Sequence, residues 1–219
     1  MAHIPISSTG SLMILPFDKA LCKYEAANSL EAGYDTSHWL YVPDFYTEYR
    51  YILGTKGSRP LIAIGINPST AAPNALDNTL KSVERIAHSN GYDSFIMFNV
   101  YAQRATDPKH METSFNSALH RENMAAFEYV LSLSLPERPS VWAAWGTLVN
   151  TRPYLCDCMR DMVALGERYN ASWFTCGKRS KNGGHPHHPL YLRKDSPLDP
   201  FDPTEYLNGI SGGRLSRQA

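Results

Sequence analysis

Three histidines crowd the stretch NGGHPHHPLYL, residues 182–192. An imidazole can bind a metal, move a proton or donate a hydrogen bond to a developing anion. His185, His187 and His188 form H-x-H-H broken by a proline, which fits the usual zinc spacings poorly, and no HExxH is present. The expectation is therefore no metal. The sequence also lacks GxxxxGK[ST], GxGxxG and GxSxG, so no nucleotide-binding loop, cofactor or serine elbow is expected. Lys178, Arg179, Lys181, Arg193 and Lys194 surround the histidines, with no acid before Asp195. Such a loop either contacts phosphates or is simply a solvated basic surface.

A second stretch, AIGINPSTA, spans residues 63–71. Gly65 permits close approach of backbone or ligand, and Pro68 stiffens the turn. Asn67 could hold a water or a base edge, or merely begin an Asn-Pro turn. Asn99 could present one donor and one acceptor to a planar base, or be satisfied by backbone. Asp77 could cap a helix or face a site as a carboxylate that polarises water.

The elements that must position these residues follow from the apolar pattern. PLIAIGI (60–66), SFIMFNVYA (94–102), SVWAAWG (140–146) and ASWFTCG (171–177) read as buried strands. Between them, residues 76–92, 116–134 and 151–169 read as helices, the first with Leu80, Val83, Ile86 and Ala87 at helical spacing. Alternation of apolar strands with helices predicts a three-layer α/β/α sandwich around a mostly parallel four-stranded sheet. Ligands of such sheets bind beyond the carboxyl ends of the strands. Asn67 to Thr70, Asn99, Gly146 and the loop 177–188 should therefore converge.

Residues 1–20 read as irregular, and the aromatic run 38–53 as a cover or edge strand. The expected division is a cover segment over 1–48, one α/β domain over 49–204 and a mobile Gly/Ser-rich tail over 205–219. Hydrophobic residues make up 43% of the chain, too many for a disordered protein. Twenty-one basic and 21 acidic residues cancel, so any hold on nucleic acid must come from a local patch. Cys22, Cys156, Cys158 and Cys176 form no CxxC pair and suit free thiols in a reducing cytoplasm. No signal peptide or membrane span is expected.

From about residue 49 to 200 the chain resembles a bacterial and phage family of uncharacterised domains. The matching stretches are YRYIL, GINPSTA, LDNT, GY, FNVYAQRATDP, AAWG and GHPHHPLYL. The order of motifs also resembles the uracil-DNA glycosylase superfamily, particularly its mismatch-specific thymine/uracil branch. Gly65-Ile66-Asn67-Pro68, Asn99, Trp145-Gly146 and His185-Pro186 stand where that superfamily has its strand-end motifs. The resemblance implies a monomeric, monofunctional DNA glycosylase acting on a flipped base in double-stranded DNA. It implies that Asn67 positions the attacking water, Asn99 reads the base edge and His185 steadies the leaving group. His187 or His188 could take that last role instead. The superfamily's uracil-specific branch has a tyrosine after the motif proline; here Ser69 and Thr70 stand there, which implies room for a 5-substituted pyrimidine. Hydroxymethylated or glucosylated cytosine of phage DNA would fit, in a defensive setting. Leu190 or Tyr191 could replace the family's leucine wedge. Asp77 has no clear counterpart. The alternatives are a nucleic-acid-binding module without catalysis, and an N-glycosidic hydrolase or transferase of free nucleosides or nucleotides.

Overall fold

The computed structural model describes residues 2–5 and 13–215, with side chains up to residue 210. The chain enters through α1 (Phe17–Ala26), α2 (Ser29–Ala32), β1 (Trp39–Val42) and β2 (Ile52–Thr55). The central part is β3 (Pro60–Gly65), α3 (Asn78–Ser89), β4 (Ser94–Asn99), α4 (Ser117–Ser132), β5 (Ser140–Ala143), α5 (Leu155–Arg168) and β6 (Ser172–Cys176). It closes with β7 (Leu198–Pro200) and α6 (Pro203–Leu215).

Among the described residues these strands form one seven-stranded mixed sheet, ordered β1-β2-β4-β3-β5-β6-β7. The four strands expected from the apolar runs are its parallel centre, β4-β3-β5-β6. The expectation of four strands is corrected at both edges, where β1 and β2 flank β4 and β7 flanks β6, all antiparallel. β1 falls in the run 38–53 expected to be a cover or edge strand, whereas β2 and β7 escape a pattern search for physical reasons. β2 carries Gly54, whose Cβ would lie 2.2 Å from the Phe95 carbonyl oxygen, so close backbone approach replaces side-chain packing. β7 reads LDP, three residues with two exposed, and shows no apolar alternation.

Alternate residues of each central strand serve opposite faces. Ile62, Ile64, Ile96, Phe98, Val141 and Ala143 pack with Phe127, Val130 and Met159 on the side of α4 and α5. Leu61, Ala63, Phe95, Met97 and Trp142 pack with Leu80, Val83 and Ile86 of α3 on the other. With α3 on one face and α4 and α5 on the other, the connections part between β3 and β5. That is the switch point at which open α/β sheets form a crevice.

Two expectations at the termini are corrected. Residues 17–26 are helical rather than irregular, because Phe17, Ala20 and Tyr24 are buried. Helix α6 runs through the Gly/Ser-rich stretch as far as Leu215, where no helix was expected. Asp202 accepts hydrogen bonds from the Thr204 and Glu205 amides at 2.9 Å, and Tyr206 and Leu207 are buried. Residues 1, 6–12 and 216–219 of the cover and tail lie outside the described residues. Among the described residues no helix is long and apolar enough to cross a membrane.

Candidate active site

The ends of the parallel strands carry the site. Pairing of β3 with β4 sets Gly65 opposite Asn99 and continues past the sheet, where the Val100 and Tyr101 amides donate to Gly65 O and Ile66 O at 2.9 Å. The Ala105 amide then donates to Pro68 O at 2.9 Å. These bonds hold the segments 65–68 and 100–105 together as one rigid rim.

Beneath the rim lies a cavity of about 440 Å³. Gly65, Ile66, Asn67, Ser69, Thr70, Asp77, Asn99, Trp145 and His188 line it, nine of the residues singled out in the sequence. Leu80, Met97, Leu148 and Leu190 add an apolar wall. The size is within the ~300–1,000 Å³ usual for small-molecule sites.

Asn99 is fully buried, and neither its Nδ2 nor its Oδ1 has a partner. Leaving a buried amide unpaired costs roughly 1–3 kcal/mol per polar atom, so such groups in folded proteins call for an explanation. Its position on a cavity wall is the feature that sets it apart. Gly65 leaves the space beside the amide free of side chain, since a Cβ there would lie 3.1 Å from Asn99 Oδ1 and 2.5 Å from Met97 Cε.

Asn67 is fixed the other way round. Its Nδ2 donates to Ala105 O at 2.7 Å and to Pro68 O at 3.1 Å. Both donor contacts are with backbone carbonyls, which leaves Oδ1 as an acceptor at the cavity. Asp77 caps a helix and borders the cavity at once. It is the N-cap of α3, with Oδ1 accepting from the Leu80 amide at 2.9 Å, and it lines the cavity. Ser69 Oγ donates to its Oδ2 at 2.5 Å, so the hydroxyl holds the carboxylate in place.

The three histidines part company. His188 lines the cavity, and its Nδ1 accepts from the Leu190 amide at 3.3 Å. An accepting Nδ1 puts the proton of the neutral ring on Nε2, making that nitrogen a donor. Burial lowers the His188 pKa, against a smaller opposing pull from the Asp77 carboxylate and with a still smaller push downward from His187. Gly146, with φ +63°, seats it: a Cβ at Gly146 would come within 3.3 Å of His188 Cβ. His185 does not line the cavity. It is 5% exposed, bonded to Tyr206 Oη at 2.8 Å and Asn150 Nδ2 at 3.2 Å, and burial lowers its pKa. Of the three histidines only His188 lines the cavity, while His185 ties the late loop to α6. Trp145 joins the same tie through Nε1, which donates to Tyr206 Oη at 3.2 Å. His187 packs beside Tyr191 and bonds the His188 carbonyl at 3.0 Å. Among the described residues no three potential metal ligands cluster.

Compared with known protein families, residues 50–190 match the one described as "Protein of unknown function (DUF1643)", well over half of the chain. The chain belongs to this family. Searches of curated proteins and of solved structures gave no match. The matched segment runs from Arg50 to Leu190 and contains every residue lining the cavity. The cavity is thus built entirely from the DUF1643 domain.

Two arginines of that domain were missed by the sequence reading. Arg50, 1% exposed, lines the cavity, and Arg104 lies behind it, fully buried. Arg50 Nη1 donates to Ala71 O at 3.0 Å. Arg104 Nη1 donates to Ser69 O and Ala71 O, and Nη2 to Tyr41 Oη at 3.0 Å. Burial, then repulsion from Arg104, brings the Arg50 pKa down to about 9. The available signal was a charge inside an aromatic run, YRYIL.

The late loop reaches the cavity through His188 and Leu190 but not through its basic residues. Lys178, Arg179, Lys181, Arg193 and Lys194 are all exposed, and none lines it. Arg193 pairs with Asp195 at 3.2 Å, and Arg179 sits 5.9 Å from the Phe201 ring centre, over a separate groove beside β7.

Proposed function

We propose that the cavity is the active site of a DNA glycosylase that hydrolyses the N-glycosidic bond of a flipped, 5-substituted or mismatched pyrimidine. The observation that carries this reading is Asn99. A fully buried amide with both polar atoms unpartnered, at the wall of an open cavity, asks for a planar ligand edge with one donor and one acceptor. A nucleobase has that edge.

The other residues suit the reaction. Asn67 Oδ1 accepts from the water that attacks C1′. The Asp77 carboxylate, steadied by Ser69, stabilises positive charge developing on the sugar. His188 donates from Nε2 to an oxygen of the departing base. Water divides between the products: its hydroxyl goes to C1′, leaving an abasic site, and its proton neutralises the released base. Ser69 and Thr70, small residues after Pro68, leave room for a pyrimidine 5-substituent. Phage genomes with hydroxymethylated or glucosylated cytosine are the setting we favour. The likeness to the uracil-DNA glycosylase superfamily rests on strand-end motifs and the parallel centre of the sheet.

The test is base release from duplex DNA carrying uracil, mismatched thymine, 5-hydroxymethylcytosine or its glucosylated form, with alkali cleavage at abasic sites as readout. We expect cleavage on at least one substrate, reduced ~10²-fold or more by Asn67→Ala. Intact DNA throughout, with DNA binding retained, would favour a binding module. Release from free nucleosides alone would favour a nucleoside hydrolase.

A further inference from the structure

The two buried arginines feel carboxylates only from beyond ion-pair distance, Asp77 for Arg50 and Glu48 for Arg104. Among the described residues, neither Arg50 nor Arg104 forms an ion pair with a carboxylate. Both donate to the same neutral acceptor, Ala71 O. Burying one guanidinium without a partner is costly, and a second beside it adds repulsion. Arg50 also keeps unused capacity. Only its Nη1 has a hydrogen bond, and its buried Nε has none. Arg104 faces other work: Nη1 holds the Ser69–Ala71 turn, Nη2 meets Tyr41, and its guanidinium lies 4.3 Å from the Tyr46 ring centre. Of the two, Arg50 alone lines the cavity, with Asn99 and Asp77.

We propose that Arg50 is the cavity's seat for negative charge, and that it holds the departing pyrimidine as an anion through its Nε–Nη2 edge. This rests on the glycosylase reading and deepens it. When the C1′–N1 bond breaks, its electron pair goes to N1 and spreads onto the ring oxygens. A flat, delocalised anion matches a flat guanidinium edge offering two parallel donors. A phosphate fits the place less well. The Asp77 carboxylate lines the same cavity and would repel a dianion, while a singly charged planar base can keep its charged edge toward Arg50. The role also divides the charges of the transition state: Asp77 faces the cationic sugar and Arg50 the anionic base.

The experiment needs neither DNA nor turnover. Calorimetric binding of 5-nitrouracil, an acidic pyrimidine present as its anion at mildly basic pH, is compared with thymine, which is neutral there. Inorganic phosphate is the third probe. The wild type should bind the nitrouracil anion about tenfold or more tightly than thymine, and Arg50→Met should abolish that preference. Arg50→Lys keeps the charge without the fork; it should fold and bind the anion with intermediate affinity, which keeps the test decisive if the methionine variant misfolds. No preference for the anion in the wild type, or an equal preference in both variants, overturns the proposal. Phosphate binding that depends on Arg50, without binding of the pyrimidine anion, overturns it too and gives the site to a phosphate group. An Arg50-dependent anion preference in a protein that releases no base from any DNA would support the charge seat while sinking the glycosylase reading. Base release with an unchanged anion preference in Arg50→Lys would do the reverse.

Discussion

On the proposed reading Asn99 pairs a folding cost with a binding gain, so its replacement should separate the two. Without ligand, both amide atoms sit buried and unpaired, and alanine removes them at the edge of an existing cavity. Asn99→Ala should therefore leave the melting temperature unchanged or raise it by a few degrees, while base release falls by ~10²-fold or more. A lower melting temperature in a thermal scan, with release intact, would show that the amide serves the fold. His188 and His185 make a second residue-scale prediction. Burial is the main cause lowering both pKa values. As pH drops, the unfolded chain takes up these protons first, at its ordinary value of about 6.5. Stability is then full above pH ~6.5 and is lost as pH falls through the lowered folded values. The melting temperature should decline across that window, and His188→Gln should flatten the decline. A variant that melts with the same acid profile as the wild type would remove His188 from the account.

Helix α3 brings structure and chemistry to one side chain, Asp77. An asparagine caps a helix about as well as an aspartate but carries no charge. Asp77→Asn should keep the wild-type melting temperature and lose base release, because only the carboxylate can offset a cationic sugar. Asp77→Ala should lose release as well and cost about 1 kcal/mol of stability through the lost cap, seen as a lower denaturation midpoint. If the asparagine variant released base at the wild-type rate, Asp77 would be a cap and no more. The same helix shows what sequence pattern could reach. Its start, its buried face and its place between two parallel strands follow from LDNTLKSVERIA, because a 3.6-residue apolar period and a capping acid act locally. The four central strands are legible for the same reason: each is an uninterrupted apolar run ending in a polar turn. β2 and β7 are not, since backbone contact at Gly54 and three mostly exposed residues hold them in place. Asn67 and Asn99 could be chosen because strand ends are where such sheets bind, and Asp77 because it precedes a helix. Arg50 could not, since its importance comes from the absence of a partner in space. Nor could His188 be told from His185. That difference lies in which ring meets Tyr206, a residue 21 positions downstream of His185.

At the scale of the molecule the balance of 21 basic and 21 acidic residues limits how DNA could be held. Affinity for a phosphate chain falls with salt in proportion to the number of phosphates neutralised, with a log–log slope of about −0.9 for each. The buried pair Arg50 and Arg104 cannot reach a backbone outside the cavity. Of the exposed basic loop, Arg193 is engaged by Asp195 and Arg179 lies over Phe201. Lys178, Lys181 and Lys194 remain exposed, with no ion pair among the described residues. If these three lysines make the phosphate contacts, the slope should be about −3, shallow for a DNA-binding protein. Exchanging any one of them for glutamine should bring it nearer zero by about one unit and weaken binding to matched and modified duplexes alike. Fluorescence anisotropy across a salt series measures both quantities. A slope several units steeper would place the DNA on a surface outside this loop, and a slope indifferent to the three exchanges would remove the loop from the interface. With weak backbone contacts, discrimination on the proposed reading has to come from the cavity that Asn99, Asp77 and His188 line. The substrate preference seen in base release should then exceed the preference seen in duplex binding.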